Sequence, residues 1–321
     1  MTRTPEFADI QAAAARIARR VHRTPVLRCR TIDELAGCRV HLKAEHLQGT
    51  GAFKLRGAMN AVWSLDDALA ARGVAAHSSG NHAGALARAA ATRGIPCHIV
   101  MPADAPRAKQ AATQGYGASI TLCEPTLDAR AASLQAVLER TGATEIHPYD
   151  HPEVIAGAGT ATLELLEEVP GIRAVIAPVS GGGLLSGTAI AAHGVDPSVV
   201  VMGAEPDQVA DAHRSLRAGA LDTTGNSTSV ADGLLAVLSE RTFAILQHHE
   251  VEVVTVTETE IIDAMALLFT RSKQVVEPSG ATGLAGLLAL RRRKIDLGAD
   301  VGVILSGGNV DLDRLPFGSM T

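Results

Sequence analysis

A chain of 321 residues and 33.2 kDa is too long for one small core and suits two compact lobes. Its 46% hydrophobic and 20% charged residues exclude disordered, collagen-like and coiled-coil chains. With 29 Lys plus Arg against 34 Asp plus Glu, a net charge of -5, and only 5 Phe, 2 Tyr and 1 Trp, it lacks both the basic footprint and the stacking platform of a nucleic-acid binder.

In chain order, Gln11 to Arg20 reads as a helix with its charges on one face, and Arg39-Val-His-Leu-Lys43 as a strand. A helix over Gly57 to Leu69 precedes the strand Gly73 to His77. The next helix, Ala83 to Thr92, should close at Gly94, where a left-handed backbone is cheap. Strands follow at Ile95 to Met101 and Ala118 to Cys123, then a helix from Thr126 to Arg140. Beyond Pro148 the rhythm repeats: helix Ala161 to Glu168, strand Ala174 to Val179, a helix, and strand Val199 to Ala204. Val251 to Val256, a helix from Glu258 and the strand Val301 to Leu305 complete it. Strands separated by helices imply βαβ crossovers, so the expected class is α/β with two open, mainly parallel sheets flanked by helices.

Cys29, Cys38, Cys97 and Cys123 form no C-x-x-C pair, which argues against a zinc knuckle or a disulfide framework and fits a reducing compartment. No apolar run reaches the roughly 18 to 20 residues of a membrane span, and the N-terminal stretch has no signal core, so a cytoplasmic location is expected. His147, His151 and His248-His249 lack the i, i+4 spacing of a helical zinc pair and read as surface or cap residues.

In parallel sheets, ligands sit beyond the carboxyl ends of strands. Three Gly- or Ser-rich turns lie there: Ser78-Ser-Gly-Asn-His82, Ser180-Gly-Gly-Gly-Leu184 and Ser306-Gly-Gly-Asn309. Consecutive glycines opening a helix at Ser180 can aim backbone N–H groups at a phosphate. A Rossmann pattern from Gly181 fails at Ser186, and a Walker pattern fails at Thr188, so phosphate binding and a turn made only for packing both stand. Lys54 sits among small residues just before a helix. Alone it reads as a solvated charge; in a desolvated pocket its amine would become nucleophilic toward an aldehyde.

Six segments in this order carry a family resemblance. They are Thr50-Gly-Ala-Phe-Lys-Leu-Arg-Gly-Ala58, Ser78 to His82, Tyr116-Gly-Ala-Ser-Ile120, Ser180 to Leu185, Glu277-Pro-Ser-Gly280 and Leu305-Ser-Gly-Gly-Asn-Val-Asp311. Together they resemble the fold type II pyridoxal-phosphate enzymes, in the serine/threonine dehydratase and serine racemase branch, over nearly the whole chain. The resemblance implies two lobes, 1–46 plus 146–321 and 47–145, with the cofactor between them and a homodimer as the assembly. It implies that Lys54 carries the cofactor as a Schiff base and then acts as base at the substrate Cα. Phe53, Asn81, Glu277 and Ser306 would line the cofactor, with Asn81 on its 3′-hydroxyl and Ser306 at the pyridine nitrogen. Ser180, Gly181, Gly182, Gly183 and Leu184 would bind its phosphate. Ser78, Ser79, Asn81 and His82 would take the substrate carboxylate, and Ser79 matches the racemases' second acid/base, against the plainer reading of a helix cap. Glu205, Asp211 and the Val209 carbonyl match a site for Mg²⁺, Mn²⁺ or Ca²⁺, against the plainer reading of two surface acids.

Gly49 and Gly84 depart from the ATP-binding pattern of the mammalian racemases although Tyr116 matches, so ATP activation is not expected. The leading expectation is deamination of L-threonine or L-serine to a 2-oxo acid. The alternatives are a serine or aspartate racemase and a threo-3-hydroxyaspartate ammonia-lyase, for which no arginine stands out to hold the second carboxylate. A non-catalytic phosphate- or nucleotide-binding protein is the reading from a different class.

Overall fold

The computed structural model describes residues 3–317, leaving aside 106, 225–227, 312 and 314 and the side chains at 108 and 109. The ends of the expected large lobe, 1–2 and 318–321, lie outside the described residues. The strands are β1 (Val26–Leu27), β2 (Arg39–Lys43), β3 (Val74–His77), β4 (Cys97–Pro102), β5 (Ser119–Cys123), β6 (Thr144–Glu145), β7 (Ala174–Pro178), β8 (Val200–Pro206), β9 (Glu252–Val256) and β10 (Asp300–Ile304). The helices are α1 (Phe7–Ile17), α2 (Arg30–Ala36), α3 (Lys54–Ser64), α4 (Asp67–Ala71), α5 (Asn81–Arg93), α6 (Arg107–Gly115), α7 (Leu127–Thr141), α8 (Pro152–Glu168), α9 (Gly183–Val195), α10 (Asp211–Ala218), α11 (Glu240–His248), α12 (Glu258–Leu267) and α13 (Pro278–Arg292).

Two sheets result, ordered β1-β2-β10-β7-β8-β9 and β5-β4-β3-β6. All pairings are parallel except β1 with β2. Helices cover both faces of such sheets, which explains why a strand such as Ala-Val-Ile-Ala-Pro in β7 is buried at every residue.

Three elements depart furthest from the sequence reading, the other shared boundaries shifting by no more than one or two residues. The first helix begins at Phe7, where Glu6 and Asp9 form a reciprocal capping box, and ends at Ile17 rather than Arg20. The single helix expected over Gly57 to Leu69 is two, α3 and α4, because Leu65 is extended and the Asp66 side chain caps α4 at the Leu69 N–H, 2.8 Å away. And α8 begins at Pro152, not Ala161.

The missed half of α8 positions the site. Glycine inside a helix costs about 1 kcal/mol against alanine, so Gly157 and Gly159 read as breakers. In the fold they are contact points. A Cβ on Gly157 would stand 2.6 Å from the Arg56 carbonyl of α3, and one on Gly159 2.7 Å from the Gly187 carbonyl of α9. Backbone thus meets backbone on both sides of α8, which clamps the helix that begins with Lys54 beside the helix that begins at the triple-glycine turn.

A closed charge cluster reinforces that clamp. Arg56 and Glu45 are fully buried and paired at 2.7 Å, and Arg56 also meets Glu164 of α8 at 2.8 Å. Lys43, fully buried in β2, meets the other oxygen of Glu164 at 2.7 Å and the Thr24 carbonyl at 2.6 Å. Two cations and two carboxylates therefore balance, with only Glu164 partly exposed.

Candidate active site

Lys54 is the first residue of α3, and its approach is stitched to the end of β10. Phe53 N–H donates to the Ser306 carbonyl at 2.9 Å, and Gly308 N–H donates to the Gly51 carbonyl at 2.9 Å. The Lys54 Nζ donates to the Pro148 carbonyl at 2.8 Å. A carbonyl gives the amine a partner without a countercharge, and burial lowers its pKa to about 8. Lys43, fully buried, is tied to a carboxylate instead.

Pro148 belongs to a segment, His147 to His151, that crosses from β6 to α8 and was given no role from sequence. The His147 ring accepts the Asp150 N–H at 2.9 Å, and its pKa falls to about 4, through burial above all. Tyr149 lies edge-on to that ring, with centroids 4.6 Å apart. Asp150 pairs with Arg241 of α11 at 2.7 Å. His151 caps α8 by accepting the Glu153 N–H, as a cap reading expects, and burial lowers its pKa to about 4.

The Ser78 to His82 turn joins β3 to α5. The cap of α5 is Gly80, with no side-chain cap, so Ser79 is not the helix cap of the plainer reading. Instead the Gly80 N–H donates to Ser78 Oγ at 3.3 Å. His82 is buried, and its Nε2–H donates to the Ile146 carbonyl at 2.8 Å. That donation leaves Nδ1 unprotonated, buried and without a partner. Burial first, then the Lys54 charge, push the ring's pKa down to about 3.

Asn81 donates to Glu277 Oε1 at 2.8 Å and accepts from Asn309 Nδ2 at 2.9 Å, while Asn309 N–H donates to Glu277 Oε2 at 3.1 Å. This orients the Asn81 amide and leaves its second N–H for a ligand. Ser306 is buried at the end of β10, and its hydroxyl lies 3.5 Å from the Ser279 carbonyl, a contact loose enough to yield to a better partner.

The Ser180 to Leu184 turn opens α9, whose first N–H groups have no partner within the helix. The glycines themselves answer to packing. A Cβ on Gly181 would meet the Tyr149 ring at 2.5 Å, one on Gly183 would meet Tyr149 Cβ at 2.9 Å, and one on Gly182, at φ 88°, would meet Thr242 Cβ at 2.6 Å. Both readings of the turn therefore coexist, with packing setting residue type and the N–H groups still available.

Glu205 lies next to last in β8 and Asp211 begins α10, with Val209 between them. Both carboxyls are buried, not surface acids. Glu205 accepts the Ala212 and His213 N–H groups at 3.1 and 3.0 Å. Burial raises the pKa of Glu205 to about 8 and of Asp211 to about 6, and the nearby basic Arg214 is paired with Asp222. Among the described residues no cluster of three or more His, Cys, Asp or Glu could hold a metal, so a cation here would also need backbone carbonyl or water oxygens. Nor, among the described residues, is any helix long and apolar enough to cross a membrane.

A partly buried amine of lowered pKa at one helix start, bonded to the Pro148 carbonyl next to the Tyr149 ring that packs on a glycine turn at another, suits an enzyme that holds a phosphorylated aldehyde. A sequence model described as "Pyridoxal-phosphate dependent enzyme" matches residues 17–307, and the chain belongs to that family. The chain is 46% identical to the beta-hydroxyaspartate dehydratase of Paracoccus denitrificans (strain Pd 1222), over 98% of this chain and 99% of that one. The crystal structure of serine racemase from Dictyostelium discoideum superposes with a TM-score of 0.92 at 46% identity, covering 97% of this chain and all of that one (100%). The crystal structure of a T.th. threonine deaminase superposes with a TM-score of 0.90 at 44% identity, covering 97% and 100%. Family and fold stand as the motifs implied. The finer choice shifts, because the relatives favour the alternatives, hydroxyaspartate lyase and serine racemase, over the leading threonine or serine reading.

One further residue, outside the sequence motifs, has an unsatisfied polar atom near His77. Arg130, in the first turn of α7, has a buried Nε without a hydrogen-bond partner. His77, the last residue of β3, has its pKa lowered by burial and also by the Arg130 charge. The His77 ring stands 6.3 Å from that of His147, whose own pKa feels Lys54. The signal available in sequence was position alone, since His147 to His151 and Arg130 both follow carboxyl ends of parallel strands.

Proposed function

We propose that this enzyme removes water and then ammonia from a 3-hydroxyaspartate, giving a 2-oxo acid, with the pyridoxal phosphate of its family as cofactor. The observation that carries the substrate choice is Arg130, a half-buried residue with an unpartnered Nε whose charge reaches His77, the residue before the Ser78 to His82 turn. Charged groups lose hydration on burial and need a counter-ion, and the second carboxylate of this substrate supplies one. Bound pyridoxal phosphate supplies the electron sink that acidifies the substrate Cα–H. Lys54 Nζ, kept partly neutral near pH 8, takes that proton. The α5 N-terminus, through its backbone N–H groups with Ser78 and Asn81, binds the α-carboxylate, the neutral His82 ring anchors that turn on the Ile146 carbonyl, and Ser306 offers the ring nitrogen a neutral partner.

The test compares kcat/KM for 3-hydroxyaspartates with that for L-serine and L-threonine in wild type, Arg130→Ala and Arg130→Lys. Removing a charge-assisted contact worth about 1.5–3 kcal/mol should cost Arg130→Ala roughly 10- to 150-fold on hydroxyaspartate and little on serine. Equal losses on all substrates would remove Arg130 from substrate recognition and return the choice to L-serine or L-threonine.

A second reading, serine racemisation, is favoured by Ser79, whose hydroxyl is not used to cap α5. For Glu205, Asp211 and the Val209 carbonyl we propose a hard divalent cation, which would keep two adjoining buried carboxylates ionised. We further propose a homodimer in the cytoplasm.

A further inference from the structure

The triple-glycine turn is held from outside by a strap, residues 236–242, that touches it at each step. Ser180 Oγ donates to the Ala236 carbonyl at 3.1 Å and accepts the Ala236 N–H at 3.0 Å. Thr242 Oγ1 donates to the Gly181 carbonyl at 2.9 Å. Leu238 Cδ2 and Thr242 Cβ occupy the space where Gly182 would carry a side chain, at 2.8 and 2.6 Å. Leu238 and Thr242 are both buried.

The strap has its own anchors. Ser239 and Thr242 form a capping box at the start of α11, and the Leu238 N–H donates to Asp211 Oδ2 at 3.2 Å. Asp211 is buried, so this carboxylate is an internal tether. On the turn's other flank the Tyr149 ring fills the space beside Gly181. A turn gripped at its carbonyl, its Ser hydroxyl and its left-handed glycine has its free N–H groups aimed by those grips.

We propose that Asp211, Leu238 and Thr242 are positioning residues for the cofactor phosphate, acting through the turn without touching the ligand. Asp211 sets the strap, and the strap sets the direction of the N–H groups from Gly181 to Leu184. This rests on the reading that the turn takes the phosphate of pyridoxal phosphate.

Pyridoxal, which lacks the phosphate, separates the possibilities. Apoenzyme of wild type, Thr242→Val, Thr242→Ser and Leu238→Val is titrated with pyridoxal phosphate and with pyridoxal, following the visible absorbance on Lys54. Losing one hydrogen bond, or the wall beside Gly182, should weaken pyridoxal phosphate by up to about tenfold in Thr242→Val and Leu238→Val while pyridoxal stays within about twofold. Thr242→Ser, which keeps the hydroxyl, should match wild type. The ³¹P resonance of the bound cofactor should move in the two weakened variants only. Parallel losses for both ligands, or none for either, would overturn the proposal. If wild type binds pyridoxal phosphate no better than pyridoxal, the phosphate reading of the turn itself is wrong.

Discussion

Lys54 must be neutral enough to attack an aldehyde and basic enough to take a proton, and its surroundings meet both demands with one carbonyl and no carboxylate. Borohydride reduction followed by mass spectrometry should place the cofactor on the peptide containing Lys54 and nowhere in Lys54→Ala. A label on a different lysine would move the site. Ser79→Ala tests whether Ser79 serves the opposite face, as the racemase reading requires. Proton removal at Lys54 suffices for elimination, whereas inversion also needs a donor across the plane, so L-to-D conversion of serine should vanish. Deamination should fall by about tenfold at most, the worth of one hydrogen bond. Chiral chromatography beside a 2-oxo acid assay reads both, and a joint collapse would show a shared or structural role. Lys54, Ser79 and Ser306 could be singled out as candidates because each sits in a short local motif. Arg130 and Tyr149 were not, because their meaning arises only when separate strands bring them to the cleft.

At the scale of the element, α3, α8 and α9 show how a local rule misleads. Gly57, Gly157, Gly159 and Gly187 look like interruptions in sequence, yet they allow three helices to touch backbone to backbone. No single-helix propensity contains that information, so α8 was read at half its length. The charge cluster below α3 gives a direct test. Arg56→Met leaves Glu45 buried without its partner at 2.7 Å, which should cost about 3–5 kcal/mol of stability. Urea unfolding should show a lower midpoint with unchanged slope. Adding Glu45→Gln should recover part of the loss, and a double variant no better than the single would show that the pair is not coupled.

Across the whole molecule, the alternation of strands and helices made two parallel sheets readable, while strand order and the pairing of β10 between β2 and β7 were not. Those are long-range choices that periodicity does not encode. The titration of the fold as a unit is predictable from its buried groups. His82, His147 and His151 titrate at about 3, about 4 and about 4 in the fold, against about 6.5 when unfolded. Below about pH 6.5 the unfolded chain binds protons that the fold refuses, so these groups lower stability as pH falls toward 4. Glu205 and Asp211, at about 8 and about 6, act in the opposite sense, since the fold takes up their protons first. Stability should therefore rise modestly from about pH 8 to 6.5 and decline below about 6. Glu205→Gln should flatten the alkaline limb in urea midpoints measured against pH. If a divalent cation binds there, Mg²⁺ should raise the melting temperature at about pH 8.5 far more than at 5.5, because metal and proton compete. An equal shift at both would place the ion elsewhere.

The cluster of Lys43, Glu45, Arg56 and Glu164 also restricts how this lineage can drift. Its charges cancel and lie mostly out of solvent, so the first substitution in any order removes several kcal/mol from a total of about 5–15. Descendants can cross that valley only by exchanging partners nearly together or after gaining stability elsewhere. Lys54 lies two positions from Arg56 on the same helix, so the heredity of that amine is tied to four residues other than those proposed to meet the substrate.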